Sequence, residues 1–140
     1  MSVPLKFHYI VSGGDFTSAG NASVQAKKAL RQLGFDPETI RRVSIAMYEG
    51  EINMVIHADG GTADIIVYPD YIEIILADKG PGIPDVELAM QAGYSTAPDN
   101  IRSLGFGAGM GLPNMKRYTD DMQIDTVVGE GTTITMRVNT

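Results

Sequence analysis

The feature that most constrains this chain is a pair of glycine-rich segments, the first preceded by a carboxylate. Asp78 ends an apolar run and is followed by a turn, residues 79–84, with glycines at 80 and 82. A denser cluster at residues 105–111 has glycine at every second position and leads into a helical pattern. Backbone N–H groups at such a helix start bind phosphate, and a carboxylate accepts hydrogen bonds from a base. Together the segments predict a nucleotide site.

Composition sets the class of protein. The chain has 140 residues, 44% hydrophobic and 20% charged, which predicts one globular domain over residues 1–140. A net charge of -6 argues against nucleic-acid and anionic-membrane partners. No cysteine, no signal-peptide apolar region and no apolar run of about 20 residues occur, so we expect a cytoplasmic protein.

Hydrophobic periodicity predicts an α/β (α+β) fold. We expect a two-layer sandwich in which a mixed β-sheet carries helices on one face. Asp36-Pro37-Glu38 has the capping residue and proline of a helix start, and Gly34 is placed to end the preceding helix. The predicted elements are a strand at 5–11, helices at 22–33 and 36–58, a hairpin at 65–68 and 71–77, helices at 85–92 and 112–119, and a hairpin at 122–128 and 132–138.

The second predicted helix has polar residues beside its apolar face. Ile45, Glu49, Ile52 and Ile56 share one face, and Asn53 follows Glu49 by one turn. A carboxylate that is simply paired within the structure is one interpretation. The other is a functional pair, in which an amide oxygen suits Mg²⁺ with water ligands and a carboxylate acts as a base.

The glycine cluster differs from common phosphate loops. Gly111 is followed by Leu112 rather than by Lys-Ser/Thr, and no frame gives the dinucleotide fingerprint. Apolar residues alternate with the glycines, which is unlike a solvated linker. The aperiodic residues 93–104 before the cluster predict a lid over the phosphates, with an ordinary loop as the alternative.

Four motifs in order resemble the GHKL ATPases, the superfamily of gyrase B and bacterial sensor histidine kinases. Residues 49–53 (Glu-Gly-Glu-Ile-Asn) resemble its N box, and residues 78–82 and 105–112 resemble its two glycine boxes. Residues 131–134 (Gly-Thr-Thr-Ile) resemble its closing strand. The chain is therefore identified as a member with a Bergerat ATP-binding fold. It is most similar to the stand-alone anti-sigma-factor serine kinases and stressosome switch kinases.

The resemblance implies a role for each motif residue. Glu49 would be the general base, Asn53 would hold Mg²⁺, and Asp78 would accept from the adenine amino group, with Thr133 assisting through water. The remaining implied contacts to ATP or ADP are Gly80, Gly82, Ile83, Arg102, Gly105, Gly107, Ala108, Gly109, Met110, Gly111 and Leu112.

The implied function is a regulatory serine/threonine protein kinase that uses Mg-ATP. Its partner would be a small regulatory protein, either an antagonist-type domain or a sigma factor. Whether the protein also forms a homodimer is left open by the resemblance. The alternative is an ATP-gated anti-sigma factor or regulator-binding module with little or no kinase activity. A sensor histidine kinase domain is less favoured, because no helix with an acceptor histidine precedes the motifs. Gly50 and Glu51 depart from the branch's pattern, as does the length of residues 97–104.

Overall fold

The chain folds into a sheet with helices packed on one face. The computed structural model describes residues 4–14, 19–58, 60–83, 85–91 and 111–140. The packing of the helices on one face of the sheet confirms the predicted two-layer α/β sandwich. In chain order the elements are β1 (Leu5–Ser12), α1 (Asn21–Gln32), α2 (Pro37–His57), β2 (Gly60–Val67), β3 (Tyr71–Asp78), α3 (Val86–Ala89), α4 (Gly111–Arg117), β4 (Asp121–Val127) and β5 (Gly131–Asn139).

The sheet has the strand order β1-β2-β3-β5-β4. All four of these pairings are antiparallel, so the expectation of a mixed sheet is wrong for the described strands. β3 and β4 run in the same direction, but β5 lies between them and pairs antiparallel with both. Because β5 follows β4 by a hairpin and lies between β3 and β4, the two strands that share a direction do not pair with each other.

Helix boundaries follow the predicted caps. The Asp36 carboxylate accepts a hydrogen bond from the Thr39 backbone N–H at 2.8 Å, and Pro37 occupies the first turn of α2. Gly34 has φ of 83°, and its N–H donates to the Arg31 carbonyl just after α1. These local signals explain why both long helices begin and end close to their predicted limits.

Gly50 sets how closely α2 approaches the sheet. A Cβ at this position would lie 2.0 Å from Leu76 Cδ1 on β3, so only glycine fits without movement of the core. This packing accounts for a residue that is otherwise unfavourable inside a helix. The largest fully buried side chains are Leu30, Val43, Met47, Ile65, Ile72, Ile74, Met115, Met136 and Val138.

Two elements differ from their predicted bounds by more than two residues at one end. The helix expected at 85–92 spans only Val86–Ala89, and Met90 is its C-cap. β2 begins at Gly60, earlier than the predicted strand at 65–68. Gly61 pairs with Asp78, and a Cβ on Gly61 would lie 2.1 Å from the Ala77 carbonyl oxygen. The glycines extend the strand because they allow this close backbone approach.

Candidate functional site

Glu49 and Asn53 lie one turn apart on α2 and face the beginning of α4. The Asn114 side-chain amide donates to Glu49 Oε1 at 3.3 Å. A Cβ on Gly111 would lie 2.7 Å from Asn53 Nδ2, so the missing side chain leaves the amide in contact with the first residue of α4. The structure therefore brings the predicted carboxylate–amide pair to the helix that follows the glycine cluster.

Asp78 is oriented by two backbone groups at the end of β3. Its Oδ1 accepts from the Gly80 N–H at 2.8 Å and from the Thr132 N–H at 3.2 Å. No described residue donates a hydrogen bond to the other carboxylate oxygen, Oδ2. The arrangement fixes the carboxylate through one oxygen and leaves the second as a directed acceptor.

The sheet register places Thr132, and not the predicted Thr133, beside Asp78. Asp78 pairs with Thr132, whereas Thr133 pairs with Ala77. Thr132 is 7% exposed and lies on the helix-covered face with Ile134. Thr133 lies on the opposite face, because successive residues of a strand alternate between faces. The alternation of apolar residues after Thr132 was a sequence signal for this assignment.

The first glycine segment is fastened to the β4–β5 hairpin. Gly82 has φ of 79°, and a Cβ there would lie 2.7 Å from the Val127 carbonyl oxygen. The Ile83 N–H donates to Thr126 Oγ1 at 2.9 Å, and the Gly129 N–H donates to the Pro81 carbonyl at 2.9 Å. Ile83 is thus engaged by the hairpin through its backbone. Sequence reasoning missed Thr126, and no motif marked it.

Gly80 provides a second close contact between this segment and α2. A Cβ on Gly80 would lie 2.6 Å from the Ala58 Cβ, at the C-cap of α2. Glycine therefore lets the turn after Asp78 pass beneath the end of the helix that bears Asn53. The turn that follows β3 therefore lies against the C-terminal end of α2.

Glu51 holds the beginning of α1, a role that the sequence did not reveal. The side chain is 2% exposed and accepts from the N–H groups of Gly20 (3.0 Å), Ala22 (3.1 Å) and Ser23 (3.0 Å). It also accepts from Ser23 Oγ at 2.7 Å. Gly20, the N-cap, offers no side chain of its own. The buried carboxylate is thus satisfied by the N-terminus of a neighbouring helix.

An open groove of about 810 Å³ lies between α1 and α2, and Glu49 is among its lining residues. Val24 and Lys27 line it from α1, and Ser44 and Tyr48 line it from α2. A Cβ on Gly20 would lie 2.9 Å from the Tyr48 ring, so the ring covers the residue that Glu51 holds. The groove gives a ligand access to Glu49 from the side facing α1.

Several predicted residues lie elsewhere or outside the described part. Leu112 is 7% exposed in the core, so its side chain packs rather than facing a ligand. The expected lid, residues 93–104, lies outside the described residues. The same holds for these predicted ligand contacts: Arg102, Gly105, Gly107, Ala108, Gly109 and Met110.

Within the described residues, no group of three or more His, Asp or Glu side chains converges. Among the same residues, no helix is long and apolar enough to cross a membrane. A single amide oxygen beside a glycine-lined helix start instead suits a magnesium ion that takes most of its ligands from phosphates and water.

This fold, with its acid–amide pair on the central helix and its carboxylate at a strand end, defines the class of histidine kinase-like ATPases. The family model described as "Histidine kinase-like ATPase domain" matches residues 15–138. The chain belongs to this family.

The relatives that this chain resembles include a serine/threonine-protein kinase and an anti-sigma factor. The chain is 34% identical over 112 residues to the serine/threonine-protein kinase RsbT of Bacillus subtilis (strain 168), covering 77% of this chain and 78% of RsbT. It is 34% identical over 122 residues to the anti-sigma F factor of Clostridium novyi (strain NT), covering 83% and 82%.

A solved structure shows the same fold. The crystal structure of the RsbU and RsbW domains of a Mycobacterium tuberculosis protein matches 98% of this chain and 32% of that chain. The TM-score is 0.63 at 17% sequence identity. The strand order and helix layer described above are therefore those of an established fold.

Proposed function

We propose that this protein is a regulatory serine/threonine protein kinase that uses Mg-ATP and phosphorylates a small partner of the anti-sigma-antagonist type. The observation that carries the proposal is the grouping of Glu49, Asn53 and Gly111 where α4 begins on α2. Phosphoryl transfer depends on positioning and charge neutralisation, and this grouping would bring a base and a metal ligand to the helix that follows the glycine cluster.

The nucleotide would lie between the two glycine segments. Asp78 Oδ2 is the acceptor for the adenine amino group, and Thr132 replaces Thr133 as the assisting hydroxyl. Asn53 holds Mg²⁺, and the backbone of residues 105–111 binds the phosphates. When bound, Mg²⁺ neutralises charge on the phosphate oxygens. The support is the directed carboxylate at one end and the amide against Gly111 at the other.

Glu49 would act on the partner's hydroxyl. It accepts the proton as the serine or threonine oxygen forms a bond to the γ-phosphorus, the bond to the β–γ bridging oxygen breaks, and ADP leaves. The acceptor segment enters by the groove that Glu49 lines.

A second candidate is an ATP-gated anti-sigma factor with little or no transfer. The similarity to anti-sigma F factors favours it, since these relatives are named for their effect on a sigma factor. The same groove then binds a regulator without phosphorylating it. Both functions need the nucleotide, so they differ only in whether Glu49 promotes phosphoryl transfer.

The test is transfer from γ-labelled ATP to antagonist-type and sigma-factor proteins encoded beside this gene, each purified. The parent should label one of them on serine or threonine. Glu49→Gln should bind Mg-ATP normally by calorimetry but transfer roughly 10²–10⁴-fold more slowly, the range for a lost general base. Glu130→Gln, on the exposed β4–β5 turn, is the control and should transfer normally.

Other outcomes separate the candidates. ATP-dependent binding of a partner without labelling would favour the anti-sigma module. Absence of Mg-ATP binding by the parent protein would contradict both.

A further inference from the structure

We propose that Thr126 is a positioning residue that sets the hydrogen-bonding face presented to the adenine base. The inference rests on the proposed nucleotide function but concerns a residue outside all four motifs. Thr126 lies on β4, opposite Thr132 in the sheet register, with its side chain half-buried on the helix-covered face. It touches both segments that surround Asp78.

Three contacts of one hydroxyl carry the argument. Thr126 Oγ1 accepts from the Ile83 N–H at 2.9 Å, lies 2.9 Å from Thr132 Oγ1, where either hydroxyl can donate, and can donate to the Gly131 carbonyl oxygen at 3.3 Å. The Thr132 N–H in turn donates to Asp78 Oδ1. One side chain therefore joins the glycine turn after Asp78 to the residue that orients Asp78.

The single hydrogen of Thr126 decides what Thr132 offers. A hydroxyl has one donor hydrogen and two acceptor lone pairs. The contact to Thr132 Oγ1, at 2.9 Å, is shorter than the contact to the Gly131 carbonyl oxygen, at 3.3 Å, which favours donation from Thr126 to Thr132 and leaves the Thr132 hydrogen available for another group. Asp78 then presents an acceptor and Thr132 a donor, directly or through water. That pair complements adenine, which offers an amino donor next to a ring-nitrogen acceptor, and mismatches guanine, which offers a carbonyl and an N–H.

The test compares Thr126→Val, which keeps the shape but loses the hydroxyl, with Thr126→Ser, which keeps the hydroxyl. Calorimetry with Mg-ATP should show binding about ten-fold or more weaker for the valine variant, because the Ile83 N–H loses its partner and Thr132 its orientation. The serine variant should bind within about two-fold of the parent. Thr135→Val, a matched change on the open face of β5, should bind as the parent does.

A second nucleotide separates positioning from general loosening. 1-Deaza-adenosine triphosphate lacks the ring nitrogen that Thr132 recognises but keeps the amino group, so the parent should bind it more weakly and Thr126→Val should lose much less affinity for it than for ATP. Equal losses for both nucleotides, or parental ATP affinity in Thr126→Val, would overturn the proposal. If the valine variant does not fold, Thr126→Cys, with a weakly hydrogen-bonding thiol, replaces it in the same comparison.

The two hypotheses fail differently. A parent protein that binds no Mg-ATP contradicts the proposed function itself. A parent that binds Mg-ATP while Thr126→Val binds it equally well contradicts only the role of Thr126.

Discussion

A single carboxylate, Asp78, shows how the sequence builds a site residue by residue. It lies at the C-terminal end of β3, the central strand of the sheet. The N–H groups of Gly80 and Thr132 orient the carboxylate by donating hydrogen bonds to Oδ1. Gly131 allows this approach, because a Cβ there would lie 2.2 Å from the Asp78 carbonyl oxygen. The acceptor that remains, Oδ2, is the group with which we expect adenine to be recognised.

Asp78→Asn should weaken ATP binding by about 1–3 kcal/mol, the cost of a disrupted buried pairing. The asparagine oxygen is needed by the Gly80 and Thr132 N–H groups, so its amide hydrogens replace Oδ2 and meet the adenine amino group donor to donor. Calorimetry with ATP and with GTP measures the effect. Asp125→Asn, an exposed acid of β4, is the control. Equal affinity of the parent for ATP and GTP would contradict the assignment of Asp78.

Glu51 joins two helices at the scale of secondary structure. α1 starts with a glycine cap and no acidic residue in its first turn, so its N-terminal N–H groups depend on a side chain from α2. The same contact holds Gly20 beneath Tyr48, at the wall of the groove. The shape of the groove beside Glu49 thus depends on a buried carboxylate two residues along the helix.

Glu51→Ala should lower the free energy of unfolding by about 2 kcal/mol or more, because it leaves several buried donors unpaired. Glu51→Gln should lie between this variant and the parent, since its amide keeps one acceptor oxygen. Chemical denaturation gives the free energies, and hydrogen exchange should show faster exchange at Ala22 and Ser23. Glu130→Gln should leave both unchanged. Parental stability in Glu51→Ala would show that the cap is not needed.

Local patterns predicted the elements better than the contacts between them. The cap at Asp36, the stop at Gly34 and the carboxylate–amide pair on α2 follow from neighbouring residues, and the structure places all of them as expected. The partners of Glu51 and Asn114 lie 28 to 31 and 65 residues away along the chain, so no local period reveals them. The mixed sheet was wrong for the same reason, because strand order depends on long-range pairing.

Asp120 links the helix layer to the sheet, because it contacts both α2 and β5. Its Oδ2 accepts from the Asn139 N–H at 2.7 Å and from Arg42 Nη2 at 3.0 Å. Arg42, on α2, also donates through Nε to the Tyr118 carbonyl at 3.2 Å, just after α4. One carboxylate therefore ties the central helix to the last strand and to the turn before β4.

This tie should make stability depend on acid. The Asn139 backbone N–H has the largest effect and holds the pKa of Asp120 below its usual value; burial, the next largest effect, opposes it, and Arg42 adds to the lowering. A carboxyl whose pKa is lower in the folded state stabilises fully above its unfolded pKa, about 3.9, and loses that contribution as the pH falls through the folded pKa. Unfolding free energies of the parent and Asp120→Asn, measured by denaturant at successive pH values, should therefore differ most above about pH 5, and the difference should shrink as the pH falls through about 3.9 and on through the folded pKa. The control is Asp121→Asn, which removes one charge from the neighbouring exposed residue. A difference between parent and Asp120→Asn that stays constant down to about pH 2 would show that the ionised carboxylate does not support the fold.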